Sequence, residues 1–180
     1  MGMRVGDSDP LNLLVNDYLI GKSNLIGIEI GSFAGESAEI FLKSNAFKIL
    51  YCIDPWEPNF DPNDATSRLM SNIENIFDSK FKDNQIIKKI KQTSDNAINL
   101  FENESIDFIY IDGCHQYEYV KKDIENYFPK IKHGGIISGH DYEMSGRTFH
   151  IRGVKKAVDE YFKKPPLSNY ADNSWVYIKE

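Results

Sequence analysis

The chain is short of cysteine, of long apolar runs and of unbalanced positive charge, and each shortage removes a class of function. Only two cysteines, Cys52 and Cys114, occur in 180 residues. Both fall inside or beside apolar runs, so free buried thiols in a reducing compartment are expected rather than a disulfide framework. No apolar run reaches the roughly 20 residues that span a bilayer. The opening stretch MGMRVGDSDP lacks a signal-peptide core. A soluble cytoplasmic protein without a membrane partner is the expectation. The formal net charge is -6, and Lys and Arg are scattered or balanced by acids, as in KKDIEN and KKAVDE. No basic stripe for nucleic acid results. There is no internal repeat and no low-complexity tract. The length predicts one domain over residues 1–180, with residues 1–22 as an N-terminal helix packed on it.

What the chain does have is an alternation of apolar runs and helical periods. Asp9 and Pro10 read as an N-cap and first-turn proline. Leu11, Leu14, Val15, Tyr18 and Leu19 mark one helical face, stopped by Gly21. Strands are predicted over Leu25–Ile30, 49–54, 85–90, Ile106–Ile111, 136–139 and Trp175–Ile178. Helices are predicted over Glu36–Lys43, through Leu69, Met70, Ile73, Ile76, Phe77 and Phe81, over 94–101, from Tyr117 to Phe128, and from Val154 to Phe162. PWEPNFDPND is a loop by composition, and residues 141–152 are polar and irregular. The order implies βαβ units. The fold class expected is α/β, a Rossmann-like doubly wound, mostly parallel seven-stranded sheet with an antiparallel C-terminal edge strand.

Residues 28–37, IEIGSFAGES, are the most informative stretch. An apolar strand enters a turn holding Gly31, Ser32 and Gly35, and a helix leaves it. That layout suits a nucleotide-type ligand. Glu29 stands two residues before Gly31, where it would repel a pyrophosphate. A cationic ligand is more compatible, and S-adenosylmethionine (SAM), with an ammonium and a sulfonium, fits better than NAD.

Ligands of open α/β sheets bind at the carboxyl ends of the strands. Those ends carry Glu29 and Gly31, then Asp54, then Asp112 with Gly113, then His140 with Asp141. Asp54 lies about 20 residues past the glycine turn, where an acid can accept ribose hydroxyls, although Asp-Pro is also a common turn pair. Ser94 either meets an adenine edge or caps its helix. Trp56 stacks on adenine, covers the pocket, or simply packs. If the fourth and fifth strands are neighbours, about 4.8 Å apart, Asp112 faces His140 and Asp141 across a gap suited to one hard cation, Mg²⁺ or Mn²⁺. A plain His–Asp hydrogen bond is the alternative. His115 is a candidate general base at a helix start, or a cap or surface histidine. Arg147 and Arg152 could grip an anionic substrate, though solvated loop arginines are usual. His133 and His150 read as bland.

The ordered set EIGSFAG, CIDPW, IDGCHQY and GGIISGHDY resembles the class I SAM-dependent methyltransferases, from about Leu25 to Ile178. More narrowly it is similar to a small-domain group related to metal-dependent O-methyltransferases. The resemblance implies that Glu29, Gly31 and Gly35 frame the methionine part of SAM and that Asp54 binds ribose. It implies Asp112 as a metal ligand, with His140 and Asp141 supplying the others, and His115 in the place of a catalytic lysine. His140 departs from that group, which usually has an acid there. The reaction implied is metal-assisted methyl transfer to an oxygen of a sugar or other small hydroxylated acceptor, with His115 or Asp112 taking the proton. Rival readings are a non-haem Fe(II) oxygenase using His115, His140 and Asp112, an NAD-linked oxidoreductase, and a SAM-binding protein without catalysis. A homodimer is the expectation from base rates alone.

Overall fold

A computed structural model describes residues 10–60, 66–143 and 152–180. Seven strands form one sheet: β1 (Leu25–Ile30), β2 (Phe47–Asp54), β3 (Ile87–Lys91), β4 (Ile106–Ile111), β5 (Ile131–Gly139), β6 (Ser168–Asn169) and β7 (Trp175–Ile178). Their order is β3-β2-β1-β4-β5-β7-β6. The first five are parallel. As expected, the C-terminal strand β7 runs antiparallel, against β5, and the two-residue β6 lies outside it. The strand order reverses between β1 and β4, which opens a crevice above their carboxyl ends.

Parallel strands covered on both faces read as continuous apolar runs, and LIGIEI and IDFIYI do so. Alternate side chains enter two cores. One face meets α1 (Leu11–Tyr18), α2 (Glu36–Lys43) and α3 (Met70–Phe81), through Leu14, Phe41 and Phe77 against Leu50, Phe108 and Tyr110. The other meets α4 (Ser94–Ala97), α5 (Tyr117–Tyr127) and α6 (Arg152–Phe162), through Ala97, Ile124 and Val158 against Ile28, Ile53 and Ile109. Among the described residues, no helix is long and apolar enough to cross a membrane.

Several boundaries differ from the sequence expectation for physical reasons. Strand β5 begins at Ile131, not at Ile136, because His133-Gly134-Gly135 is a bulge within it. The pairing steps from Ile106 opposite Ile131 to Phe108 opposite Ile136, and Gly134 takes φ +76° to absorb the extra residues. In α3 the structure buries Ile73, Phe77 and Phe81, but leaves Ile76, and Leu69 in the 3-10 turn just before the helix, about half exposed. Asp9 lies outside the described residues, and Pro10 precedes α1 directly.

Candidate active site

The crevice holds a cavity of about 690 Å³, within the range of small-molecule sites. Backbone bonds tie the strand ends beneath it. Gly31 N donates to Ile53 O at 2.8 Å, Asp112 N to Ile30 O at 2.8 Å and His140 N to Ile111 O at 3.1 Å. The turn after β1 therefore runs against the loop after β4. Gly31 has φ +85°, and a Cβ there would stand 2.1 Å from the Asp112 carbonyl oxygen. Gly35, at φ +80°, precedes α2 and faces the Phe81 ring at 2.3 Å from such a Cβ.

Glu29 sits one layer behind the cavity wall. It is fully buried, and Ser32 and Ser37 face the cavity in front of it. Ser37 Oγ donates to Glu29 Oε1 at 2.5 Å, while Oε2 has no hydrogen-bond partner. The sheet register sets Glu29 between Cys52 and Tyr110. Burial, opposed by the Ser37 and Ser32 hydroxyls, pushes its pKa up to about 7. A buried carboxyl with one oxygen unsatisfied is poised to ionise when a cation arrives.

Asp54 lines the cavity with both carboxylate oxygens already engaged. Oδ2 accepts from Phe33 N at 3.0 Å and Oδ1 from Trp56 N at 2.7 Å. Each oxygen keeps a further lone pair. Those bonds hold Phe33 and Trp56 at positive φ, +46° and +43°. Of the three roles read for Trp56, packing is the one the structure shows. The indole is 1% exposed, lies 4.9 Å from the Phe77 ring and donates Nε1 to Phe33 O. It does not line the cavity, so stacking on a ligand is corrected to a structural role. Thr93, not Ser94, caps α4, with its hydroxyl accepting from Asn96 N. Ser94 lines the cavity and donates Oγ to Asp123 Oδ1 at 2.5 Å.

The polar end is built from Asp112, His115, His140 and Asp141. His115 lies two residues before α5, in the loop rather than at the helix start. Its Nε2 stands 2.8 Å from Asp141 Oδ2 and 3.6 Å from Asp112 Oδ1. The first is a close ion-pair approach without an aligned hydrogen bond, so the buried nitrogen is left unsatisfied. His140 Nδ1 is 3.2 Å from Asp141 Oδ1 and 3.9 Å from Asp112 Oδ1. Burial disfavours the His115 imidazolium, but Asp112 and Asp141 outweigh it and raise its pKa to about 10. Asp141 chiefly raises that of His140, to about 9. Burial would raise the Asp141 pKa, yet the two imidazoles hold it well below the usual carboxylate range.

Among the described residues, the group able to hold a metal ion is Asp112, His115 and Asp141, with ligand atoms within 4.8 Å of one another. The set expected from sequence was Asp112, His140 and Asp141. The structure replaces His140 by His115: His115 Nε2 stands closer to this pair of carboxylates, 2.8 Å from Asp141, than His140 Nδ1, which is 3.2 Å from Asp141 and 3.9 Å from Asp112. The triad expected for an Fe(II) oxygenase, His115, His140 and Asp112, is not assembled among the described residues. A carboxylate–imidazole set with an unsatisfied nitrogen suits Mg²⁺, Mn²⁺ or Fe²⁺.

Several residues of the cavity escaped the sequence reading. Asp172 and Tyr110 line the polar end, and Asp123, in what reads as a solvated helix face, lines the other. Cys52 is buried as expected, whereas Cys114 is half-buried and lines the cavity. His133 is exposed on β5. Arg147 and His150 lie outside the described residues, and Arg152 opens α6.

Residues 28–142 match the family model described as "Methyltransferase domain". An uncharacterized protein of Acanthamoeba polyphaga mimivirus is 30% identical over 128 residues, covering 68% of this chain and 53% of its own. The chain thus spans about half of that relative, and 14% of a second one from Sinorhizobium fredii. A Staphylococcus aureus structure assigned as a caffeoyl-CoA O-methyltransferase superposes with TM-score 0.67 at 20% identity, over 98% of this chain and 86% of its own. The S-adenosylhomocysteine-bound methyltransferase of Podospora anserina gives TM-score 0.58 at 14% identity, over 86% and 72%.

Proposed function

The chain belongs to the methyltransferase-domain family, and from that premise we propose that it transfers a methyl group from SAM to a hydroxyl oxygen of a sugar or other small hydroxylated acceptor. The observation that carries this reading is the cavity itself. It opens where the strand order reverses, with a buried acid behind one wall and a second carboxylate, Asp54, in another. Glu29, behind Ser32 and Ser37, supplies negative potential for the ammonium of SAM. Asp54 receives ribose hydroxyls on its remaining lone pairs. An O-methyltransferase assignment of the S. aureus structure supports oxygen as the acceptor atom.

A bound divalent ion would supply a Lewis acid that lowers the pKa of the acceptor hydroxyl. Asp112, His115 and Asp141 are the residues to hold it. The chain's other contributions are proximity and alignment. The acceptor oxygen forms a bond to the methyl carbon as the carbon–sulfur bond breaks, and S-adenosylhomocysteine leaves. The hydroxyl proton passes to the neutral imidazole of His140, which lines the cavity; Asp141 raises its pKa to about 9, so transfer by this route should quicken as pH rises toward that value. This assignment leaves His115 Nε2 as a ligand, in place of the base role read from sequence.

The test is calorimetry with S-adenosylhomocysteine, followed by methyl-transfer assays on sugars and small phenols with and without EDTA. Product binding, and turnover that chelation abolishes, is the expected result. No heat with S-adenosylhomocysteine, with or without Mg²⁺ or Mn²⁺, would end the reading.

A further inference from the structure

We propose that the acceptor is an amino alcohol (an amino sugar or a hydroxylated amine) whose ammonium is held by the carboxylate of Asp172. This rests on the methyl-transfer reading above and names the charge of the molecule that enters the site.

The cavity wall is acidic. Carboxylates of Glu36, Asp54, Asp95, Asp112, Asp123 and Asp172 line it. Among the described residues no Lys or Arg does, and the basic side chains there are His115 and His140. An acceptor bearing a carboxylate or a phosphate would enter against that field. Most of these acids already have partners. Asp95 pairs with Lys122 at 2.6 Å. Asp123 accepts from Ser94, Asp54 accepts from two backbone N–H groups, and Asp112 faces His115. Glu36 opens α2, where the helix dipole favours an acid. Asp172 differs. Its donors among the described residues are uncharged and come from Ser174 alone, N to Oδ1 and Oγ to Oδ2, both at 2.9 Å.

Asp172 is also fixed in place. It lies in the turn between β6 and β7, which Asn173 N closes on Tyr170 O at 2.8 Å and Tyr170 N on Ser174 O at 2.9 Å. That turn is braced against the residues after β5. Tyr142 N donates to Asn173 O at 3.0 Å, and Trp175 Nε1 to His140 O at 3.3 Å. The buried Tyr110 hydroxyl stands 3.2 Å from Ser174 Oγ. Ser174 Oγ spends its hydrogen on Asp172, so Tyr110 is the donor of that pair. The carboxylate is therefore set at the polar end of the cavity by bonds that need no ligand. Each oxygen keeps a further lone pair. An acceptor that fills the cavity displaces the water screening this charge, which is costly if nothing replaces it. A hydroxyl would satisfy a lone pair and leave the charge uncompensated, whereas an ammonium answers both. The ammonium of SAM is assigned to Glu29, so Asp172 is left for the acceptor. Asp172 lies at the same end as the histidines, so amine and methylated hydroxyl belong to one small molecule.

Calorimetry at neutral pH, on the full chain with S-adenosylhomocysteine and Mn²⁺ present, should compare two matched trios. One is glucosamine, N-acetylglucosamine and glucuronate; the other is tyramine, N-acetyltyramine and 4-hydroxyphenylacetate. Each presents an ammonium, a neutral amide and a carboxylate on a similar frame. In at least one trio the amine is expected to bind roughly 10- to 100-fold more tightly than the amide, the worth of a hydrogen bond to a charged group. The carboxylate should bind most weakly. Asp172→Asn keeps the side-chain shape and removes the charge, so amine and amide should come within about 3-fold of each other. A wild type that binds the amides or acids as well as the amines, or that binds neither amine, overturns the proposal without needing any variant to fold. An amine preference that persists undiminished in Asp172→Asn overturns it too. Failure of S-adenosylhomocysteine to bind at all is a different result, since it removes the methyl-transfer reading beneath.

Discussion

Gly31 rests against the backbone of Asp112, closely enough that any side chain at position 31 would meet the Asp112 carbonyl oxygen at 2.1 Å. The obstacle is main chain, so no rotamer change relieves it, and φ +85° adds its own strain for an L-residue. Gly31→Ala is expected to cost about 3 kcal/mol or more. Gly35 differs, because its obstacle is the Phe81 ring. Gly35→Ala should be partly rescued by Phe81→Leu, with a coupling of about 1 kcal/mol in a double-mutant cycle. Urea denaturation measures both. A Gly31→Ala protein as stable as wild type would show that the two loops do not touch.

The contrast explains what sequence could and could not say. The glycine turn and the acid-tipped strands were legible because parallel, doubly covered strands are continuous apolar runs with abrupt polar ends. Their neighbours in space were not. Asp123 lies in KKDIEN, which reads as a solvated helix face, and only the docking of α4 beside α5 buries it. Trp56 follows a strand tip, so it reads as a ligand contact, yet the positive φ of residue 56 turns its ring into the core. His115 and His140 look equivalent around Asp112. Which of them approaches Asp141 more closely depends on how one loop folds back, and spacing does not encode that.

That distinction is measurable. His115→Ala should weaken Mn²⁺ binding at least about 10-fold, the scale of losses at metal sites. His140→Ala should leave Mn²⁺ affinity within about 3-fold of wild type but lower turnover by roughly 100-fold or more, as loss of a proton acceptor does. Electron paramagnetic resonance titration of free Mn²⁺ reads the first effect, and single-turnover methyl transfer the second. The reverse pattern would restore His140 as ligand and His115 as base.

Stability should fall as pH rises through the range where buried acids ionise. The Glu29 pKa stands at about 7 folded against 4.5 unfolded. The folded state therefore binds the proton more tightly, and the unfolding free energy declines between those values. The contribution is on the order of 3 kcal/mol. The histidines act in the same direction higher up. The His115 pKa rises from 6.5 to about 10, so its stabilisation is complete below 6.5 and is lost as pH climbs through about 10. Glu29→Gln should shallow the melting-temperature decline between about pH 4.5 and 7, to which Asp123 also contributes, and leave the alkaline limb intact. An unchanged decline there would place its origin elsewhere.

Cofactor binding should draw on the same carboxyl. Near neutral pH Glu29 is partly protonated in the empty protein. An ammonium docked over Ser32 and Ser37 favours the charged form and lowers the Glu29 pKa. Binding S-adenosylhomocysteine should then release a fraction of one proton, and affinity should tighten as pH rises through about 7 and level off above it. Calorimetry in two buffers of different ionisation heat separates this from the intrinsic binding heat. Glu29→Gln should bind more weakly and with heat independent of the buffer. A buffer-independent heat in the wild type would mean that the ammonium lies too far from Glu29 to feel it, because a cation at close range in a buried site cannot leave a half-titrated acid unchanged.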